Sequence, residues 1–498
     1  MPFFGEIGSA TVKNRRPRSH TTLVDLLISG GAIVTMDPGR RVLEDGAIAV
    51  DKGRILDVGS AAEIKARYSA DRVIDASRKI AMPGLFDGHS HAGHGLLKSL
   101  GMHNELWYKA CEEVYSRGST EEFWEAEALL TATERLRFGV TCSLTFFGGG
   151  DSVMRTDDPA YGDRHCGAVR KVGIREYLAV GPRRPPFPRR YASWKQGEKH
   201  EYEVSFEEQL RVSEDLVKRW GREEGRVRVC IMLPTSHPEH GPIEGKELEE
   251  ERYRAQAARE ISRRHGVLFT QDGHTKGTVK FAHEELDILG PDALLSHSTD
   301  LTDEEIEICK RTGTRIVHNP SAVASMTARC PVPELLNSGV TVMLGSDASA
   351  PDRSFDMFRH MFQCMRYHRR HYRDSRVLPS GKVLEMATID AARAMGLDQE
   401  LGSIEAGKRA DIILIDAYRP HLYPLNMVAD RVAYYANGND VDTVLVDGEI
   451  LMEGRVVKTV DEAEVLEYAQ RETEAAIDRN DLRHLMDYTA GYWGRSRY

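Results

Sequence analysis

The sequence predicts an α/β fold: a distorted (β/α)8 barrel of the TIM type, with a small β-sandwich built from both ends of the chain. Between residues 83 and 400, short apolar runs such as "GVTCSLTFF", "RVRVCIMLP" and "VTVMLGSD" alternate with charged, helix-like stretches. Eight of these runs qualify as strands, which is the number that a closed barrel of parallel β/α units needs. A second sequence pattern, in which β-branched runs are interrupted by Gly and Asp, occurs near both ends of the chain and is typical of short strands joined by turns.

These sequence patterns divide the chain into four parts. Residues 1–22 lack a regular apolar pattern, and we expect a flexible N-terminal arm. Residues 23–82 and 401–460 share the strand-and-turn pattern and are predicted to form the β-sandwich together. Residues 83–400 form the barrel, and residues 461–498 begin with the i, i+3/i+4 apolar spacing of a helix.

Composition limits the classes of partner. The chain has 498 residues, 41% of them hydrophobic, and a net charge of -10, which argues against nucleic acid or an anionic membrane as the main partner. Seven cysteines without a CxxC pattern, no signal peptide and no apolar run of membrane-spanning length predict a cytoplasmic protein with reduced thiols. We therefore expect a small-molecule substrate, and a homodimer or a higher homo-oligomer.

The sharpest local signal is "PGLFDGHSHAGHG", residues 83–95. His89 and His91 are two residues apart at the end of an apolar run, so on a strand both imidazoles face the same side and can bind one metal ion. Asp87 points the same way and could orient a ligand from behind. A bare HxH pattern is weak evidence, because paired loop histidines are common.

Other predicted strands also end in polar residues. His297 follows "ALLS", His318 ends "RIVH", Asp347 follows "VMLGS", and the stretch "GVLFTQDGHTKG" ends in a loop with His274. In a β/α barrel the C-terminal strand ends open onto one face, so these side chains converge although they are far apart in sequence. Such an imidazole and carboxylate set suits Zn, Fe(II) or Mn.

With these motifs the chain resembles the amidohydrolase superfamily, especially its cytosolic aminohydrolases and triazine hydrolases. The resemblance spans roughly residues 23–460 and includes "GPDALLSHSTDLTDEEIEICKRTGTRIVHNPSA", "GVTVMLGSDAS" and "GSIEAGKRADIILID". It implies a hydrolase that acts through a metal-activated water. It also implies one catalytic divalent ion, preferably zinc, with iron or manganese as alternatives. A single ion is expected because the fourth-strand position lacks the lysine that bridges two metal ions in two-metal members of the family.

The resemblance also implies residue roles. Asp347 would accept a proton from the water, and His297 or His318 would stabilise developing charge. The implied metal ligands are His89, His91, His274 and Asp347, with His297 as a fifth ligand or a hydrogen-bond partner of the water.

One feature departs from the family's deaminases. Their strand-5 histidine is followed three residues later by a glutamate that shuttles protons, whereas His274 is followed by Gly277. A shifted alignment puts Gln271 at the ligand position and also lacks the glutamate. Because ring deamination needs a positioned proton donor, we expect hydrolysis of an amide, urea, carbamate or cyclic amidine. The alternatives are deamination or halide displacement on a heteroaromatic ring, and, more remotely, a metal-free binding or scaffold protein.

Substrate-binding residues are harder to predict. His103, Trp107 and Tyr108 follow the first metal strand and could stack on a flat substrate, although helix packing explains the aromatic residues equally well. Arg155 follows the second strand and could bind a carboxylate or carbonyl, or pair with a neighbouring aspartate. The proline- and arginine-rich loop at residues 181–194 is a candidate lid or subunit contact.

Overall fold

The structure is a computed structural model, and it describes residues 21–102, 106–149, 154–221, 225–325, 328–489 and 491–494. The predicted N-terminal arm, apart from its last two residues, lies outside the described residues. No helix in these ranges is long and apolar enough to cross a membrane.

The N-terminal part forms half of a mixed sheet. Its longest strand pairs antiparallel with the second strand, and on its other edge pairs in parallel with two later strands. The first helix is capped by Ser60, whose side chain accepts from the amide of Glu63. The elements are β1 (Thr22–Val34), β2 (Val42–Asp51), β3 (Arg54–Ser60), α1 (Ala61–Arg67), β4 (Tyr68–Asp75) and β5 (Lys79–Pro83).

The middle of the chain forms eight parallel strands, each paired with its neighbour around the barrel. A two-stranded hairpin, β9–β10, is inserted after the third barrel strand. In chain order the elements are β6 (Leu85–His91), α2 (Trp107–Glu113), α3 (Glu121–Arg137), β7 (Val140–Phe146), α4 (Pro159–Val172), β8 (Arg175–Val180), β9 (Arg189–Lys195), β10 (Glu198–Val204), α5 (Phe206–Trp220), β11 (Val227–Met232), α6 (Gly245–His265), β12 (Phe269–Gln271), α7 (Thr278–Glu284), β13 (Ala293–Ser296), α8 (Asp303–Thr312), β14 (Arg315–His318), α9 (Pro320–Ser325), α10 (Val332–Asn337), β15 (Val342–Leu344), α11 (Met357–Tyr372), α12 (Ser380–Met386) and α13 (Ile389–Ala394).

The barrel closes between its first and last strands. The amide of Asp347, three residues beyond β15, donates to the carbonyl of His89 at 2.8 Å, and Ser90 forms a parallel bridge with Asp347. Gly345 permits this approach, since a Cβ there would lie 2.9 Å from the His89 backbone nitrogen. The predicted distorted (β/α)8 barrel is thus confirmed.

The C-terminal part returns to the first sheet. Strand β16 pairs antiparallel with β5, so the sheet comprises nine strands in the described ranges. An apolar cluster including Ile28, Ile48 and Ile412 joins its two halves, as expected for a small β domain built from both chain ends. The remaining elements are β16 (Ile412–Asp416), α14 (Val428–Tyr435), β17 (Val441–Val446), β18 (Glu449–Glu453), β19 (Val456–Val457) and α15 (Glu462–Arg479).

A buried ionic group connects this sheet to the barrel. Arg175, the first residue of β8, donates to Asp411 at 2.8 Å and also pairs with Asp447. Arg226 and Arg409 each reach the same Asp447 carboxylate at 2.9 Å. The sheet therefore contacts the barrel at the N-terminal end of β8, opposite the C-terminal strand ends where the sequence predicts the site.

Candidate metal centre

Three histidines and two aspartates meet at the C-terminal end of the barrel. The Nε2 atoms of His89 and His297 each lie 3.2 Å from Asp272 Oδ1. His91 Nε2 lies 3.3 Å from Asp347 Oδ1 and 3.6 Å from Asp272 Oδ2. All five side chains are buried or nearly so, and we call this group the barrel cluster.

The barrel strands explain why the cluster forms. His89 and His91 occupy alternate positions of β6, so both rings face the barrel axis. Asp272 is the first residue after β12, and His297 is the first residue after β13. His297 and Asp347 have φ values of 62° and 66°, the left-handed region that non-glycine residues seldom adopt. Such strain is concentrated at functional sites, where the surrounding structure enforces it.

The electrostatics of the barrel cluster favour a bound cation. Burial alone would raise the pKa of Asp272 and of Asp347, but the neighbouring histidines outweigh it and hold both pKa values below the ordinary range. Burial would lower the pKa of His297, but Asp347 and Asp272 raise it. Within the described part of the chain, the buried Nδ1 of His89 has no hydrogen-bond partner, and its Nε2 faces the Asp272 carboxylate. Two carboxylates among three imidazoles are a donor set that divalent transition ions bind, so the residues present fit such an ion.

Surrounding groups orient the donors. The Nδ1–H of His91 donates to the carbonyl of Gly148 at 3.0 Å, which leaves its Nε2 lone pair facing the cluster. The hydroxyl of Ser296 donates to Asp272 Oδ1 at 2.7 Å. His91 and Asp272 are thus held from behind by partners outside the cluster.

Asp87, predicted to orient a ligand, instead fastens the strand that carries the ligands. Its carboxylate accepts from the amide and the hydroxyl of Ser346 at 2.8 and 2.6 Å. Behind it, Arg135 of α3 donates to Ser90 at 2.6 Å and lies within 4 Å of both Asp87 and Glu176. This buried ionic layer supports the cluster from below.

The strand-5 residues are arranged differently from the prediction. Asp272 joins the barrel cluster, whereas His274 and Gln271 lie outside the group whose donor atoms converge. His274 Nδ1–H donates to Thr278 at 2.9 Å, because the Thr278 hydroxyl itself donates to a carbonyl. Gln271 donates to the carbonyl of Pro234 at 3.3 Å. Asp272 therefore converges with the other donors, whereas His274 keeps a buried Nε2 without a hydrogen-bond partner among the described residues.

His318 also lies elsewhere. It ends β14, as predicted, and one of its nitrogens lies within 4.8 Å of donor atoms of Cys364 and His368 of α11, a group separate from the barrel cluster. The arrangement therefore gives no support to a catalytic role of His318.

The predicted substrate-binding residues have three different outcomes. Trp107 lies near the barrel cluster, because a row of rings runs from His91 through His94 to Trp107 with centroid separations of 5.5 and 6.2 Å, and Tyr108 contacts Trp107 at 5.6 Å. His103 lies outside the described residues. Arg155 is fully buried and donates to the carbonyls of Tyr115, Ser116 and Ala192, so its contacts favour a structural role.

Sequence reasoning missed two residues of this site. Asp272 was passed over because His274, two residues later, offered the more familiar ligand, although Asp272 is the first residue after its strand. Arg353 lies six residues beyond Asp347, with its Nε 3.8 Å from Asp347 Oδ2. Nothing in its loop sequence indicates this approach.

Comparison with known proteins agrees with this architecture. The sequence model of the protein family described as "Amidohydrolase family" matches residues 80–451. The family model of a bacterial imidazolonepropionase-like composite domain matches residues 46–68. A 5'-deoxyadenosine deaminase of Methanosarcina mazei is 29% identical over 463 residues, covering 92% of this chain and 99% of that protein. A 5-methylthioadenosine/S-adenosylhomocysteine deaminase of Moorella thermoacetica is 31% identical, with 86% and 94% covered. A zinc-bound adenosine deaminase from Xanthomonas campestris has a similar fold, with a TM-score of 0.77, 22% identity, and 92% and 100% covered.

Proposed function

Because the chain belongs to the amidohydrolase family, we propose that this metal-dependent hydrolase cleaves a carbon–nitrogen bond in a small amide, urea, carbamate or cyclic amidine. The observation that supports this best is the barrel cluster, in which two carboxylates and three imidazoles converge at the open end of the barrel. Such a group suits hydrolysis because it can hold a cation and a water molecule next to a substrate carbon.

The proposed metal ligands are His89, His91, Asp272 and Asp347, with His297 as a fifth ligand or a hydrogen-bond partner of the water. This set differs from the predicted one in having Asp272 in place of His274. One zinc ion is the preferred occupant, with iron or manganese as alternatives, since imidazole and carboxylate ligands suit all three. A divalent ion bound there supplies an acidified water and a Lewis acid for the substrate.

The chain's own residues then move the protons. Asp347 is ionised, because His297, His91 and Arg353 hold its pKa low against the effect of burial, so it can accept a proton from the water. His297, whose pKa is raised by the two aspartates, can donate a hydrogen bond to a developing oxyanion. His318 has no part in this scheme, since its ring lies beside His368 of α11.

Trp107 and Tyr108 are proposed to hold a flat substrate at the mouth. Trp107 is half-buried and Tyr108 exposed, with ring centroids 5.6 Å apart in an edge-to-face arrangement. An exposed aromatic edge beside buried imidazoles offers a stacking surface for a planar group. Arg155 is left out of this proposal because its guanidinium is committed to main-chain carbonyls.

Deamination of an adenosine-type ring is the second candidate, favoured by the two deaminases that match nearly the whole chain. The local chemistry argues against the usual proton delivery. Both carboxylates of the barrel cluster have lowered pKa values, and burial lowers the pKa of His274 to about 3, so at neutral pH the two aspartates are ionised and His274 is a neutral imidazole. A ring nitrogen would need another donor.

A substrate panel separates the two candidates. Metal-loaded protein is incubated with ureas, amides, carbamates, cyclic amidines, 5'-deoxyadenosine and 5-methylthioadenosine, and ammonia, amine and ring products are measured. The proposal predicts turnover of a non-nucleoside member, absent in Asp347→Asn. Turnover confined to the nucleosides, with release of ammonia, would establish the second candidate instead.

We also propose a cytoplasmic location and a homodimer or higher homo-oligomer. All seven cysteines are free thiols in the structure, as in reducing compartments. Trp493 is 88% exposed and Met486 56%, which leaves apolar side chains near the C-terminus for a subunit contact. Cell fractionation tests the cytoplasmic location, and light scattering tests the oligomeric state.

A further inference from the structure

Outside the barrel cluster, a second group of donor atoms is buried between β14 and α11. It consists of His318, the last residue of β14, and of Cys364 and His368 of α11. All three are fully inaccessible to solvent, and one donor atom from each lies within 4.8 Å of the others. Cys364 and His368 are four residues apart, so they project from the same face of the helix.

The two imidazoles of this group lack hydrogen bonds. In the described ranges, both ring nitrogens of His318 and both of His368 have no partner, although their ring centroids are 5.3 Å apart. Leaving a buried polar atom unsatisfied costs about 1–3 kcal/mol, so four such nitrogens are an unusual burden for a structural core. His360 lies one turn before Cys364 on the same helix and is hydrogen-bonded as buried histidines usually are. Its two ring nitrogens pair with the Ser321 hydroxyl and with the carbonyl of Ser354.

We propose that His318, Cys364 and His368 form a second metal site, structural in role, for a thiophilic cation of the zinc class. Two imidazoles and a thiolate are preferred ligands of zinc and are poor ligands of magnesium or calcium. Binding displaces one proton from the Cys364 thiol, and each imidazole uses a lone pair, so the ligands contribute a single negative charge.

The site would fix β14 to α11 near the catalytic end. Strand β14 lies between β13 and β15, the strands that lead to His297 and Asp347. A cation bound by the end of β14 and by one face of α11 would therefore hold β14 in place, and β14 is the middle strand of the three. This role is independent of the proposed reaction, because none of the three residues belongs to the barrel cluster.

Cobalt substitution distinguishes the two sites, because the barrel cluster contains no sulfur. Metal-free protein is titrated with Co²⁺ while its near-ultraviolet absorption is recorded, and bound metal is counted by elemental analysis. We expect two cobalt ions per chain and a thiolate-to-cobalt charge-transfer band. Cys364→Ser is expected to bind one cobalt and to lose the band, and His89→Ala/His91→Ala to bind one and keep it.

Two other buried cysteines provide matched controls. Cys230→Ser and Cys330→Ser remove thiols that are equally inaccessible, and both should keep the band. If Cys364→Ser does not fold, His368→Gln gives the same reading with the thiol intact. A folded wild-type protein without the band, or a band that survives in Cys364→Ser, would overturn the proposal.

Discussion

Asp272 and Asp347 lie close to the same ring nitrogen: His297 Nε2 is 3.2 Å from Asp272 Oδ1 and 3.9 Å from Asp347 Oδ2. The two aspartates follow β12 and β15, which are separated in the barrel by two other strands. Barrel curvature therefore brings together carboxylates that are 75 positions apart in the sequence. Two ionised carboxylates this close need positive charge between them, which protonated histidines or a divalent ion can supply.

Changing Asp347 to Asn is expected to reduce turnover roughly 10²–10⁴-fold, the usual contribution of a positioned proton acceptor. The amide is similar in size but cannot accept the proton, so circular dichroism should match the wild type. Asp352→Asn, on the same loop and exposed, is the matched control and should retain activity. Turnover of Asp347→Asn near the wild-type level would exclude Asp347 as the acceptor.

Changing Arg135 to Met is expected to lower the free energy of unfolding by about 3–5 kcal/mol, because it leaves the buried carboxylate of Asp87 without its cation and leaves Glu176 with His165 alone. Arg137→Met, two residues along the same helix, breaks a half-exposed pair with Glu462 and should cost only about 1 kcal/mol. Urea denaturation measures both. Equal losses in the two variants would contradict a supporting role for the buried layer.

The ionic group between sheet and barrel predicts an acid-sensitive interface. Burial would raise the pKa of Asp447, but Arg175, Arg409 and Arg226 outweigh it and lower the pKa from 3.8 to about 2. Because the pKa is depressed in the folded state, the stabilisation exists above pH 4 and is lost as the pH falls toward 2. It amounts to at most about 2 kcal/mol.

Unfolding measured from pH 7 to pH 2.5 tests this linkage. Asp447→Asn should be less stable than the wild type at pH 7, and the difference should shrink as the pH falls below 4. A difference that is constant across this range would show that the charge of Asp447 contributes nothing to the interface.

The barrel and the small sheet were predictable because alternation of strands and helices is a property of the whole chain. His89, His91 and Asp347 were predictable for the same reason, since each ends or follows an apolar run. Asp272 was not, because β12 is only three residues long and its end could not be located against His274. The burial of Arg155 and the pairing of His318 with α11 depend on tertiary contacts that no local pattern encodes.

The choice between Asp272 and His274 is the most direct test of the proposed centre. Zinc content per folded chain is measured for Asp272→Asn and His274→Gln in a Cys364→Ser background, where only the barrel cluster is expected to bind. The geometry predicts that Asp272→Asn loses most of its zinc whereas His274→Gln keeps one equivalent. Full zinc in Asp272→Asn together with loss in His274→Gln would contradict it.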